Sequence, residues 1–318
     1  MAKKTVLVIG ATGHVGTYLV PRLVEAGHDV VAMSRGTAKP YMADERWAAV
    51  EQIAVDRAAA EADGSFVPRV EGIGADIVID MICFEPQSAR DLAAGLHDRV
   101  DHFLLTGTVF THGTPVEVPV TEDAPKRPFG DYGIKKAAIE GHLLGLARQR
   151  GFPATIIHPG HIVGPGWLPL NPAGHFNASV WRTISLGEVL ELPNFGLETV
   201  HHVHADDIAA LFMAAIDDKA ASVGQSFHSV SEKALTLRGF AEDMYRWFGQ
   251  EPNLLFLPFK QWAEGKDPDI AKTTWDHIAR SPNCSMEKAK RLLGYRPAHT
   301  SLEAVKESVR WLLDHGKI

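Results

Sequence analysis

The chain has 318 residues, room for two domains of ordinary size or one large one, and its 45% hydrophobic and 22% charged content is that of a globular protein. A net charge of −7 gives no overall electrostatic footprint for nucleic acid, although it leaves a local basic patch open. Two cysteines, Cys83 and Cys284, cannot build a disulfide framework, so free thiols and a reducing, cytoplasmic setting are expected.

The predicted elements alternate from the start. Lys3 and Lys4 lead into the apolar run Val6-Leu7-Val8-Ile9, which Gly10 stops far short of a secretory signal. No stretch approaches the ~18 apolar residues of a membrane span. Thr5–Ile9 reads as a strand and His14–Ala26 as a helix closed by Gly27. Strands follow at Val30–Met33, Gln52–Val55, Asp76–Ile82 and His102–Leu105. A helix is predicted over Tyr132–Arg150, with apolar positions at Ile134, Ala137, Ala138, Leu143, Leu144 and Ala147 and with Gly151 at its end. Ala154–His158 is again a strand, after which Gly160–Pro172 turns rich in Gly, Pro, Trp and Asn. Thr199–His204 reads as one more strand, Asp206–Ile216 as a helix and Ser301–His315 as an amphipathic helix. Uniformly apolar strands alternating with helices signal an α/β protein whose parallel sheet is covered on both faces.

Gly10-Ala-Thr-Gly13-His-Val-Gly16 joins the first strand to the first helix. Gly10 permits a tight turn, Gly13 lets the backbone approach a pyrophosphate, and Gly16 lets helix and strand pack closely. The helix start offers its free N–H groups and dipole to that anion, so Thr12, His14 and Val15 are expected cofactor contacts with the glycines. A ligand-free glycine turn is the plain alternative, but the position between strand and helix is the one a dinucleotide motif demands. An NAD site would place Asp or Glu at the end of the second strand, on the ribose. This chain has Ser34 there and Arg35 beside it. A guanidinium pairs with a 2′-phosphate, and bonds of about 1.5–3 kcal/mol favour NADP roughly 10- to 100-fold. NADP is the expected cofactor and NAD the alternative.

Tyr132 and Lys136 are four residues apart on a helix and share a face. A tyrosine exchanging a proton with an alcohol near neutrality must fall about 3 units from ~10, which costs roughly 4 kcal/mol. A cation about 5 Å away supplies roughly 3 kcal/mol at an effective dielectric of 20. Lys136 and an oxidised nicotinamide together would suffice. Thr106, just after the strand His102–Leu105, is expected to orient the substrate oxygen through its hydroxyl.

With Thr106-Gly-Thr-Val-Phe110, Tyr132-Gly-Ile-Lys-Lys136 and His158-Pro-Gly-His-Ile-Val-Gly-Pro-Gly166, the glycine loop resembles the extended short-chain dehydrogenase/reductases. Within them the chain is most similar to the NAD-dependent epimerase/dehydratase group. The likeness continues through His204-Ala-Asp-Asp-Ile-Ala209 and Ala289-Lys-Arg-Leu-Leu-Gly-Tyr-Arg-Pro297, and so covers essentially the whole chain. The resemblance implies a doubly wound Rossmann domain over residues 1–165, with a return segment near 199–220. A smaller, mainly substrate-binding domain over 166–318 would complete it. It also implies that Asp56 meets the adenine, that Met81, Ile82 and Cys83 line the cofactor channel, and that Lys136 holds the nicotinamide ribose. Tyr132 would be the general acid/base, with Thr106 and Lys136 as catalytic partners. A homodimer through two helices flanking the sheet is the usual assembly.

Two departures narrow the expectation. Dehydratases of the group carry Asp-Glu where this chain has Gly107-Thr108, so water elimination lacks its acid and base. Sugar-nucleotide epimerases usually have an arginine four residues before the histidine matched by His204. Here that position is Val200, and Arg182 is the nearest obvious cation. His158 and His161 are expected on the cofactor side, and Thr108, His161, Asn171, His175 and Asn177 on the substrate side. His202 and His204 would share a strand face, but no third ligand is fixed beside them, so no metal is expected. The function expected is hydride transfer at an alcohol or ketone carbon of a small molecule, by resemblance a sugar or sugar-derived compound. The rival is a catalytically silent nucleotide- or RNA-binding module on the same fold, disfavoured by the charge and by the intact Tyr132 and Lys136. No membrane or nucleic-acid partner is expected.

Overall fold

The structure is a computed structural model and describes residues 3–318. The first half contains β1 (Thr5–Ile9), α1 (His14–Glu25), β2 (Asp29–Ser34), β3 (Glu51–Ala54), α2 (Arg57–Ala62), α3 (Phe66–Ile73), β4 (Ile77–Asp80), α4 (Pro86–Leu96), β5 (His102–Thr106), α5 (Asp131–Arg150) and β6 (Ala154–Pro159). Shorter pieces follow: β7 (His161–Val163), α6 (Ser179–Ser185), β8 (Leu190–Pro193), β9 (Thr199–Val200), β10 (His202–His204), α7 (Ala205–Asp217), α8 (Lys219–Ser222) and β11 (Ser226–Ser229). The chain ends with β12 (Leu235–Thr236), α9 (Leu237–Trp247), β13 (Leu254–Leu257), α10 (Phe259–Ala263), α11 (Pro268–Ile278), α12 (Glu287–Leu293) and α13 (Ser301–Asp314).

Seven parallel strands form the central sheet in the order β11-β6-β5-β4-β1-β2-β3. The order reverses between β1 and β4, and that switch point is where doubly wound sheets open a crevice at the carboxyl ends of their strands. Both faces of the sheet are buried. Val6, Val8 and Ile79 pack towards α1 and α7, and Leu7, Ile9 and Val78 towards α3, α4 and α5. This is why the strands read as continuous apolar runs. A third core, from Val163 to Val309, lies beyond the sheet and is built on Trp181, Phe240, Tyr245 and Trp262.

Three expectations change. The strand foreseen over Thr199–His204 breaks at His201: β9 pairs antiparallel with β12, and β10 pairs parallel with β7. The His201 ring is fully buried at the break, accepting the Cys284 N–H at Nδ1 and donating to Ser231 O from Nε2. The return to the sheet also runs past residue 220, because β11 forms its edge and Met286, Ala289 and Tyr295 join its core. Finally, α5 buries Lys136, Ile139, Glu140 and Leu143, while Ile134 points to solvent.

Candidate active site

The glycine loop is built as its spacing requires. Gly10 has φ of +87°, and its N–H donates to Met33 O at 2.8 Å. A Cβ on Gly16 would sit 2.0 Å from Ala11 O, so the approach of α1 to the loop admits no side chain there. Gly13 caps α1 without a side-chain hydrogen bond, and the first turn carries no acid. The orphan donors of this turn therefore face an open space with nothing anionic beside them, which suits a pyrophosphate. Gly10, Gly13, His14 and Val15 line a cleft of about 420 Å3 at the switch point, together with Met81 and Ile82, which pack directly against Gly10. The His14 ring stacks on Trp167 at 5.1 Å, and burial, then His204, pushes it down to about 3, so it is neutral.

Thr12, Ser34, Arg35, Asp56 and Cys83 do not line the cleft. Thr12 is half-buried in the loop, Ser34 Oγ accepts the Gly36 N–H, and Arg35 is exposed beyond β2. Asp56 caps α2 by accepting the Ala59 N–H. Its neighbour Arg57 is tied to the buried Asp80 at 2.8 Å. Cys83 does not line the cleft: it is fully buried in the core under α4, and burial, then Asp80, pushes its thiol up to about 12. It stays a thiol in the core.

Tyr132 and Lys136 project from the first turns of α5 into the cleft, beside the end of β5. Lys136 is 2% exposed, and its Nζ donates to Thr106 O at 2.8 Å. Burial lowers its ammonium from 10.5 to about 8. Tyr132 is 43% exposed, with its ring edge-on to Phe110. Burial pushes its phenol above the ordinary value, and the Thr108 side chain opposes that push. The lowering expected from Lys136 is not present in the protein alone, because Nζ lies 5.9 Å from the Tyr132 ring and turns to the Thr106 carbonyl. Thr106 and Thr108 both line the cleft, but the hydroxyl beside Tyr132 is that of Thr108. Thr106 Oγ is buried without a protein partner.

His158 lies behind the wall rather than in it. Fully buried, it accepts the Thr108 N–H at Nδ1 (2.9 Å), and its Nε2 is 3.0 Å from Glu140 Oε1. Lys126 completes the set by donating to Glu140. Burial alone would raise the Glu140 carboxyl, but His158 and Lys126 outweigh it and hold it well below the usual carboxylate range. His161 does line the cleft, and its buried ring is held neutral by burial, then by His277 and His202.

Asn171, His175 and Asn177 serve their own loop. Asn171 Nδ2 donates to His175 Nδ1 and Asn177 O, its Oδ1 accepts the Ala173 N–H, and Asn177 Oδ1 accepts the Ser179 N–H. The residue this loop sends to the cleft is Phe176. Phe84 and Phe110 complete that wall. No sequence signal separates these rings from core aromatics, because neither periodicity nor spacing marks a cleft. Val200 is fully buried in the third core, and Arg182 is exposed away from the cleft. His202 and His204 part company: His202 Nε2 donates to Leu170 O, and His204 caps α7.

A separate group, His204, His299 and Glu307, brings three ligand atoms within 4.8 Å of one another. Its tautomers belong to a hydrogen-bonded cluster. His204 Nδ1 accepts the Asp206 N–H, which leaves the hydrogen on Nε2, 3.2 Å from Glu307, and His299 Nδ1 gives its hydrogen to Asp207. Among the described residues no helix is long and apolar enough to cross a membrane.

The sheet order and the glycine loop at its switch point define a dinucleotide-binding Rossmann protein. The chain belongs to the NAD dependent epimerase/dehydratase family, whose model matches residues 6–80 and 87–228. Among curated relatives it is 24% identical to the chloroplast stem-loop binding protein of 41 kDa b of Arabidopsis thaliana, over 99% of this chain and 80% of that one. It is 26% identical to the 2′-dehydrokanamycin reductase of Streptomyces kanamyceticus, over 98% of this chain and 86% of that one. Among solved structures it matches a UDP-glucose 4-epimerase of Thermotoga maritima with a TM-score of 0.74, at 19% identity, over 98% of this chain and 99% of that one.

Proposed function

We propose that the protein is an NAD(P)-dependent oxidoreductase or epimerase that moves hydride at an alcohol or ketone carbon, with Tyr132 as general acid/base. The observation that carries this reading is the meeting of Tyr132, Thr108 and Lys136 in the cleft that the glycine loop opens. A nicotinamide bound there, with the glycines and the start of α1 at its pyrophosphate and Lys136 at its ribose, supplies the hydride donor or acceptor. Proton handling belongs to side chains. A phenol held above its ordinary value is an acid at rest, so a carbonyl gaining hydride takes its proton from Tyr132 Oη. Thr108 Oγ holds the same oxygen, and the buried Lys136 ammonium stabilises the phenolate left behind. Dehydration is disfavoured by space: a Cβ at Gly107 would lie 2.3 Å from His158 Nδ1, so the wall admits no carboxylate there.

NADP is the favoured cofactor, on the exposed Arg35 and on Ser34 where an acid would hold an NAD ribose. The substrate class the family supports is a sugar or sugar-derived compound. Fluorescence titration with NADPH and NADH, followed by Tyr132→Phe, tests the reading. Both nucleotides should bind, NADPH at least tenfold tighter. The variant should keep that affinity and lose about 100-fold or more in turnover. Full activity in the variant would remove Tyr132 from the reaction. The Arabidopsis relative supports a second reading, stem-loop RNA binding. A gel shift at low salt decides it, since RNA held through phosphates binds tightest there.

A further inference from the structure

The part of this cleft beyond the glycine loop has a chemistry of its own. Among the described residues lining it, Lys136 is the one lysine or arginine and no carboxylate is present. Lys136 gives one donor to the Thr106 carbonyl, and the hydride-transfer reading uses the rest of its ammonium for the ribose and Tyr132. The buried guanidinium nearby, Arg280, is packed 4.3 Å from the Phe110 ring and 3.9 Å from the Phe129 ring, and it donates to Phe129 O. It stands behind Phe110, outside the cleft. A second diphosphate, beyond the one the glycine loop would take, finds no cation to pair with.

What the wall offers instead is flat apolar surface and one fixed donor. Phe84, Trp167 and Phe176 stay 50, 37 and 41% exposed around the mouth, a concentration of large rings at one opening that marks a binding surface. His161 is 8% exposed, and its Nδ1 accepts the His201 N–H, so the hydrogen sits on Nε2, which has no partner in the protein. The neighbouring ring of His277, 5.1 Å away, gives its Nδ1 hydrogen to Thr273 O and keeps Nε2 as an acceptor. A hydroxyl can accept the His161 Nε2 hydrogen and still donate to an acceptor beside it, whereas an ionised diphosphate diester can only accept.

We infer that the substrate is an uncharged ring ketone or alcohol, free of any nucleotide diphosphate, whose hydroxyl accepts the His161 Nε2 hydrogen while its ring lies against Phe176 and Phe84. This deepens the hydride-transfer reading and rests on it. The test is calorimetric binding to the full chain, in three steps. NADPH and NADH are titrated first. Then 2-hydroxy-1-phenylethanone, the neutral probe, and UDP-glucose are each titrated into the NADP-saturated protein. The same titrations follow with His161→Phe, His161→Gln and Phe176→Ala, each checked by thermal melting. The neutral ketone should bind and UDP-glucose should not. His161→Phe and Phe176→Ala should each weaken the ketone about tenfold, and His161→Gln, which keeps a donor, should restore most of the loss. UDP-glucose binding at least as tight as the ketone overturns the inference and leaves hydride transfer standing. So does ketone binding that neither variant weakens, or no binding of either compound. Failure of both dinucleotides to bind overturns the hydride-transfer reading itself, and this inference with it.

Discussion

Lys136→Met separates what the buried ammonium costs the fold from what it gives the chemistry. Burial lowers the Lys136 ammonium from 10.5 to about 8. At about 1.4 kcal/mol per tenfold change in proton affinity, the charged side chain costs the native state about 3 kcal/mol at neutral pH. The sign follows from proton counts. Between pH 8 and 10.5 the unfolded chain holds this proton more firmly than the native one, so Lys136 makes stability rise with pH across that window, and its full penalty is felt below pH 8. Methionine has similar length and no charge. It removes the penalty but strands the Thr106 carbonyl that Nζ now satisfies, at about 1–3 kcal/mol. The variant should therefore melt at or a few degrees above the parent at pH 7, and the difference should shift against the variant as pH rises to 10. Its turnover should fall about 100-fold or more at every pH. Thermal melting at pH 7 and 10, with initial rates at pH 7, checks both halves. A difference in melting temperature independent of pH would refute the assigned cost, and retained turnover would refute the role.

Other substitutions test separate parts of the site. Gly16→Ala drives a Cβ into Ala11 O at 2.0 Å and should abolish dinucleotide binding by calorimetry, with a lower melting temperature. Arg35→Ala should weaken NADPH about tenfold by fluorescence titration and leave NADH unchanged, because only the 2′-phosphate meets the exposed guanidinium. Thr108→Val should cut turnover about 10- to 100-fold in a steady-state assay, whereas Thr106→Val should stay within a few fold. The reverse order would return the substrate oxygen to Thr106.

The sheet was legible because burial on both faces leaves a mark that pattern reading detects. Each of β1, β2, β4, β5 and β6 falls within two residues of its expected bounds. The edge strand β11, Ser-Phe-His-Ser, carries one apolar side chain and left no such mark, although all four residues are buried. Its histidine is satisfied by Ser285 O and His112, partners distant in sequence that no local pattern announces. The backbone of the glycine loop was legible for a similar reason, since glycine spacing reports backbone geometry directly. Beyond that loop, Thr108 and His161 line the cleft as expected, but Asn171, His175 and Asn177 do not. Polar residues in the loop after β7 suggested hydrogen bonds to a ligand, but a buried loop must first satisfy its own backbone, and Asn171 and His175 are spent on that. Thr108, expected on the substrate side, reaches the cleft with Thr106 because a chain still extended two residues past Thr106 puts both hydroxyls on one side.

The helix α5 shows why the apolar pattern misled and what the misfit does. Its buried face carries Lys136 and Glu140, four residues apart, where an ordinary amphipathic helix would place leucines. The two charges act on the same short segment. Lys136 Nζ takes the Thr106 carbonyl, and Glu140, through His158, reaches the Thr108 N–H. Gly107 between them donates to Ile157 O at 2.7 Å and has no room for a Cβ against the His158 ring. The end of β5 is thus held at three successive residues by groups that no solvent can replace. The Thr108 hydroxyl gains its position from that clamp and from accepting the Phe110 N–H. Two buried charges that weaken the helix as a packing element make it the element that sets the geometry of proton transfer.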